Sequence, residues 1–338
     1  MALHEQDFTD LILLPDGRGL LKGVPGHDQQ LVPVRDEDGV ELTGLPGALE
    51  SSFLSSVPSA CEASPGVRRH PDTIRFEHCD VRYRVAAFDN VDSGRTWFLR
   101  RLAESVPSLE SIGLPEQLVT WLSAEEQSQG LVLISGPQAS GKTWTAAALI
   151  AARLRQYGGH GVTFENPVEM PLTGPHGQHG YCFQTEILGE HELAAHIERA
   201  HRYGSPNIIH IGEIRSKYAA TEALRVSLGS SRQMVVATIH GLDAVAALDR
   251  LLTWARELEG EAASRNLENS LLAVIHQDLA SVNGKRTLRC PEFLLVPFRD
   301  EFKGIRAKLK DGNLGDLRND IREQRNRVNF RGLEGFLK

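Results

Sequence analysis

The chain has 338 residues, of which 41% are hydrophobic and 24% charged, with a formal net charge of -7. That length suits about two domains, and the acidic balance argues against a protein that coats DNA or RNA or holds a membrane through a polybasic surface. No direct nucleic-acid binding is expected. No apolar run approaches the ~18 residues of a spanning helix, and Met1-Ala2-Leu3-His4-Glu5-Gln6-Asp7 carries acids where a signal peptide carries bases. A cytoplasmic protein is expected, peripheral to the inner membrane only through partners.

Residues 1–105 alternate short apolar runs with Gly, Pro and Asp breaks. Asp10-Leu11-Ile12-Leu13-Leu14 followed by Pro15-Asp16-Gly17 reads as strand and turn, Val81 to Phe88 alternates as a strand does, and Arg95 to Leu102 forms a last strand. Residues 106–115, punctuated by Pro107, Gly113 and Pro115, read as a linker. From 116 to 285 strand-length apolar runs alternate with amphipathic helices. The runs are Leu131–Ile134, Gly161–Glu165, Asn207–Glu213 and Gln233–His240, with helices over 143–155, 190–202, 216–228 and 243–258. Parallel strands of this kind bring their carboxyl ends to one edge, where α/β ligands bind. Residues 286–338 are set apart as a small C-terminal subdomain with charged helices.

Several features read more simply as structure. Cys61, Cys79, Cys182 and Cys290 form no CxxC pair and serve as small apolar residues. His176 and His179 form an HxxH in a Gly/Pro-rich loop without further ligands, and a surface loop is preferred to a metal site. Arg318, Arg322, Arg325 and Arg327 read as a solvated terminal helix, with a local basic face as the alternative.

The chemistry centres on Gly136-Pro137-Gln138-Ala139-Ser140-Gly141-Lys142-Thr143, a GxxxxGK[ST] loop between an apolar strand and a helix. Its glycines let backbone N–H groups turn inward around phosphate oxygens. Lys142 supplies a cation to the β- and γ-phosphates, and Thr143 a hydroxyl ligand for Mg²⁺. The helix that starts there turns its positive end to the anion. ATP and Mg²⁺ are thus the expected ligands. Hydrolysis needs an acid near the metal, a group that takes a proton from water, and a γ-phosphate sensor. Glu213 ends a strand and can reach a magnesium-bound water. Glu165 and Glu169 bracket a Pro167 turn at another strand end, where proline disfavours helix at Asn166. His240 ends a third.

This set resembles the secretion-ATPase superfamily of type IV pilus, type II and type IV secretion motors, nearest its PilT-like branch, which includes DotB/TraJ-like ATPases. The similar segments are Glu165-Asn166-Pro167-Val168-Glu169, Gln184-Thr185-Glu186-Ile187, Pro206 to Ser216, Thr238-Ile239-His240 with Asp249-Arg250, and Ser270 to Leu279. The resemblance implies a RecA-like P-loop ATPase domain of α/β class, joined to a smaller N-terminal PAS-like α+β domain. It also implies Glu169 as catalytic base, Glu213 as Walker B acid and His240 near the γ-phosphate. Arginines of the N-terminal domain would act on the phosphates, Arg82 and Arg100 ahead of Arg84 and Arg95. A homohexamer working on an inner-membrane platform protein follows, for a pilus or for a secretion or conjugation system. Asn166 replaces the usual acid of its segment, Gln233 replaces a histidine, and the family's A-I-R-N-L-I motif has only a loose counterpart in Phe298-Arg299-Asp300-Glu301-Phe302. The rival readings are an ATP-binding regulatory or interaction protein with little turnover, and a P-loop kinase, which lacks a recognisable acceptor site.

Overall fold

The computed structural model describes residues 7–16, 18–27, 30–35, 74–78, 81–91, 94–228, 232–282 and 285–331. The chain divides into two compact units: residues 1–104 with 283–285, and residues 105–282 with 286–338.

The first unit is built on one antiparallel sheet. Its strands are β1 (Asp10–Leu13), β2 (Gly19–Lys22), β3 (Val32–Pro33), β4 (Ile74–His78), β5 (Val81–Asn90) and β6 (Gly94–Arg101). They lie in the order β3-β2-β1-β6-β5-β4. Alternation decides its faces: Leu11, Leu13, Val81, Tyr83, Val85 and Leu99 are buried in one small core, while the residues between them face outward. The β5–β6 hairpin closes at Gly94, whose φ of 85° suits a residue without a Cβ. The PAS-like α+β expectation concerns this unit. Residues 36–73, which include Cys61, lie outside the described residues, as does Cys79.

The second unit carries an eight-stranded sheet: β7 (Gly130–Gly136), β8 (Gly159–Glu165), β9 (Gly174–His176), β10 (Gly180–Glu186), β11 (Ile208–Ile214), β12 (Met234–His240), β13 (Leu271–Val282) and β14 (Lys285–Leu295). The order is β14-β13-β7-β12-β11-β8-β10-β9. From β13 to β10 every pairing is parallel. The helices are α1 (Glu116–Ser123), α2 (Lys142–Tyr157), α3 (Leu193–Tyr203), α4 (Lys217–Ser227), α5 (Ala244–Glu259), α6 (Ala262–Ser270), α7 (Lys303–Asp311) and α8 (Leu317–Arg331). Layers on both faces explain why β7 is buried at every residue and β12 at all but His240. Ser216 and Asp243 cap α4 and α5, each accepting from the backbone N–H three residues on.

Three stretches differ from the sequence reading. Residues 106–115 do not behave as a linker: Leu109 and Leu114 are buried within the second unit. Pro and Gly set the turns there, but the two leucines supply apolar surface that packs. Residues 286–338 are not a separate subdomain. They belong to the same unit as the sheet, to which β14 adds the outer strand beside β13, while Leu309, Leu314, Leu317 and Ile321 enter the main core. The loop holding His176 and His179 contains β9 and the turn into β10, and His176 Nε2 donates to Leu172 O at 2.8 Å.

No helix among the described residues is long and apolar enough to cross a membrane. Cys182 is buried and Cys290 half-buried. Burial pushes both thiols up to about 12, so they stay protonated and unreactive.

Candidate active site

Parallel register brings the polar strand ends together. Gly136 of β7 lies opposite His240 of β12, and Ser135 opposite His276 of β13. Farther along, Phe164 of β8 is level with Ile211 of β11. Between Ile211 and Ile214 the β11–β12 register shifts. Glu213 sits in that irregularity, a device that re-aims a side chain at a strand end.

The GxxxxGK[ST] segment leaves β7 at Gly136 and enters α2 at Lys142. Three residues of its turn have positive φ: Gly136 at 156°, Ala139 at 61° and Gly141 at 82°. At Gly136 the requirement is steric as well. A Cβ there would stand 2.2 Å from Gln277 O and 2.5 Å from Ser140 Oγ. Pro137, Gln138 and Ala139 are exposed, Ser140 is buried, and Thr143 is half-buried in the first helical turn.

Lys142 is the hub of the site. Its Nζ donates to Pro137 O at 2.7 Å and Gly136 O at 3.2 Å, and meets His240 Nδ1 at 3.2 Å. An ammonium only donates, so Nδ1 of His240 accepts and Nε2 carries the proton. That nitrogen points to Glu213 Oε1 at 2.8 Å, and Arg215 holds Glu213 Oε2 at 2.5 Å. The result is a line of alternating donors and acceptors, Lys142–His240–Glu213–Arg215. Burial pulls the Lys142 pKa down to about 8, against the opposing pull of Glu213 and Glu169. The Glu213 and Glu169 charges both raise the pKa of Arg215. Glu169 therefore acts electrostatically on both cations. Arg250 donates to His240 O at 2.9 Å and fixes that residue's backbone.

Glu165 occupies a different environment. It is buried, and its Oε1 accepts from Thr163 Oγ1 at 2.5 Å and Gln184 Nε2 at 2.9 Å. Gln184 also donates to Met170 O at 2.9 Å, and its own oxygen accepts from the N–H groups of Leu172 and Thr173, each at 2.8 Å. Glu165 and Gln184 thus brace the loop that presents Glu169. The sequence reading quoted Gln184 within a similar segment but gave it no role. Its signal is a glutamine that ends the Tyr181-Cys182-Phe183 run.

The arginines belong to the first unit and are described within it. Arg82 and Arg84 share a face of β5, and Arg84 stands directly opposite Arg100 of β6. Arg100 Nε donates to Asp10 Oδ1 at 2.8 Å, and Arg82 to Ala103 O at 3.2 Å. Arg95 is paired with Asp89 at 2.7 Å. Like charges directly across a ladder are unfavourable, which makes the Arg84–Arg100 pair the notable one. Sequence spacing alone did not show it.

The donor set fits the expected ligands. A turn with positive φ at Gly136, Ala139 and Gly141, a buried ammonium and a helix N-terminus suit phosphate. A threonine hydroxyl and a carboxylate are the oxygen ligands that Mg²⁺ takes.

Several known proteins are similar to this chain. The chain is 30% identical over 206 residues to the uncharacterized protein YggR of Escherichia coli, covering 59% of this chain and 58% of that one. It is 30% identical over 200 residues to a twitching motility protein of Neisseria gonorrhoeae, covering 59% and 51%. It therefore spans little more than half the length of these relatives. Its fold matches the crystal structure of the pilus retraction motor PilT with bound ADP, with a TM-score of 0.71 at 23% identity, over 94% of this chain and 86% of that one. The α/β RecA-like ATPase fold expected from the sequence is thereby established. Residues 68–299 match the model of the Type II/IV secretion system protein family, and the chain belongs to that family.

Proposed function

We propose that this protein is a motor ATPase that hydrolyses ATP to drive type IV pilus dynamics or a type IV secretion or conjugation system. The observation that carries the reading is the Lys142–His240–Glu213–Arg215 line beside a glycine-lined phosphate loop. A regulatory protein that only bound nucleotide would need the loop but not the acids arranged around it.

In this reading the backbone of Gly136 to Thr143 wraps the phosphates, and Lys142 turns from the loop carbonyls to the β- and γ-oxygens. Thr143 Oγ1 would hold Mg²⁺, with Glu213 reaching it through a water. Magnesium held there would supply positive charge to the phosphates. Glu169 takes a proton from water as the water oxygen bonds to the γ-phosphorus. The bond from that phosphorus to the β–γ bridging oxygen breaks, giving ADP and phosphate. His240, with a proton on Nε2 and an acceptor at Nδ1, ties the state of Lys142 to that of Glu213. Glu165 keeps the Glu169 loop in place rather than performing the chemistry. Arg82, Arg84 and Arg100 offer guanidinium groups to developing phosphate charge.

The relatives named for twitching motility and pilus retraction support a mechanical role, and the family supports a secretion role equally. A homohexamer acting from the cytoplasm on an inner-membrane platform protein is the assembly this reading requires. Phosphate release by the full chain tests it, with Lys142→Ala as control. The parent should turn ATP over and the variant should lose tight ATP binding and turnover together. A parent that binds ATP without releasing phosphate would make this an ATP-binding regulatory protein instead.

A further inference from the structure

Two adjacent residues of β13 hold both ends of the phosphate loop. His276 lies opposite Ser135, the residue just before Gly136. The Ser135 hydroxyl and His276 Nδ1 are 3.0 Å apart, and both residues are buried, at 0% and 5% exposure. Gln277, with no exposed surface, donates from Nε2 to Ser140 O at 2.7 Å, just before Gly141 and Lys142. Its backbone oxygen also fills the space beside Gly136 that a Cβ would need. Entry and exit of the loop are thus fastened to one dipeptide.

The chemistry of Gln277 says more than its position. A buried amide costs free energy unless both halves are bonded, yet Gln277 Oε1 has no partner, and neither does the nearby Ser140 hydroxyl. An apolar residue of the same size would fill this place more cheaply, so the single bond to Ser140 O accounts for the polar choice. That bond has a directional consequence. In a trans peptide the C=O and the following N–H point opposite ways. Holding Ser140 O toward β13 turns the Gly141 N–H to the other side, away from that strand.

We propose that Gln277 is a positioning residue for nucleotide phosphate, with His276 as its partner at the other end of the loop. The inference rests on the nucleotide reading above and adds to it the strand that pre-sets the loop. Gln277→Leu removes the donor while keeping the burial, and the full chain is then titrated with ADP and assayed across ATP concentrations. ADP Kd and ATP KM should both rise roughly ten-fold, the equivalent of about 1.4 kcal/mol for one lost buried bond, with Tm within a few degrees of the parent. His276→Leu should weaken ADP in the same direction, and His276→Asn, which keeps a polar partner for Ser135, should restore it. Should Gln277→Leu not fold, Gln277→Met is read in its place. A folded variant with parent-like Kd and KM, or one changed only in Tm, overturns the proposal while leaving the ATPase reading intact. A parent that binds no ADP removes both.

Discussion

The two sheets of this molecule use polar residues in opposite ways. In the second unit the central strands are buried on both faces, β7 along its whole length and β12 at all but His240. The candidate site residues Gly136, Glu213 and His240 meet at strand ends. In the first unit β6 alternates between buried and exposed, with Leu99 at 0% and Phe98 at 40% exposure. Its open face can carry guanidinium groups along the strand, as with Arg84 opposite Arg100. A sheet covered on both sides offers only its edge for chemistry; a half-covered sheet offers a whole face. The candidate phosphate loop and the candidate arginines are therefore housed in sheets of different kinds.

Removing the charges from the open face gives the largest test of that division. Arg82→Ala with Arg100→Ala should leave Tm near the parent value and lower ATP turnover by roughly 10³-fold, the lower bound for guanidinium assistance in P-loop enzymes. Turnover should rise with protein concentration if a neighbouring subunit supplies the group. Mixing the double variant with Lys142→Ala would then restore some activity, whereas arginines acting within one chain would give neither effect. If the double variant keeps parent turnover, Arg84 becomes the residue to remove.

Stability should divide the same way. Leu133→Ala, in the doubly covered β7, should cost about 3 kcal/mol. Phe98→Ala, which removes a partly exposed ring edge-on to Phe88 at 5.3 Å, should cost about 1 kcal/mol. Comparable losses in denaturant unfolding would contradict the contrast.

The smallest effect is electrostatic. Burial has lowered the Lys142 pKa to about 8, so its charge is largely present at pH 7 and lost as pH rises through that value. Phosphate binding needs the charged form. ADP affinity should therefore weaken roughly ten-fold between pH 7 and pH 9, and calorimetry showing a flat profile would remove Lys142 from phosphate contact.

Much of this architecture was legible in the sequence because parallel strands are written as short apolar runs that end abruptly. Leu131–Ile134 and Gln233–His240 announce β7 and β12, and the residue that ends each run lies at the sheet edge that carries the Gly136–Thr143 loop. What was not legible depends on contacts far apart in the chain. β14 mixes Lys285, Arg286, Arg289 and Glu292 into its strand, so the apolar signal fades although the backbone pairs beside β13. The 106–115 segment has the composition of a linker but buries Leu109 and Leu114. Glu165 and Glu169 look equivalent in sequence, both near Pro167. Only the structure separates them: Glu165 is buried and accepts from Thr163 and Gln184, whereas Glu169 lies on the loop after β8. Gln277 sat within a segment similar to the family's, but its partner Ser140 is 137 residues away.

The central claim is that Glu169, on the loop after β8, performs chemistry rather than holding structure, and Glu169→Gln tests it most directly. The amide keeps the size of the side chain but cannot accept a proton from water. Measured side by side on the full chain, ATP affinity should stay near the parent value while phosphate release falls by roughly 10²-fold or more. Phosphate release at the parent rate, with ATP still bound, would contradict the account and place the base elsewhere.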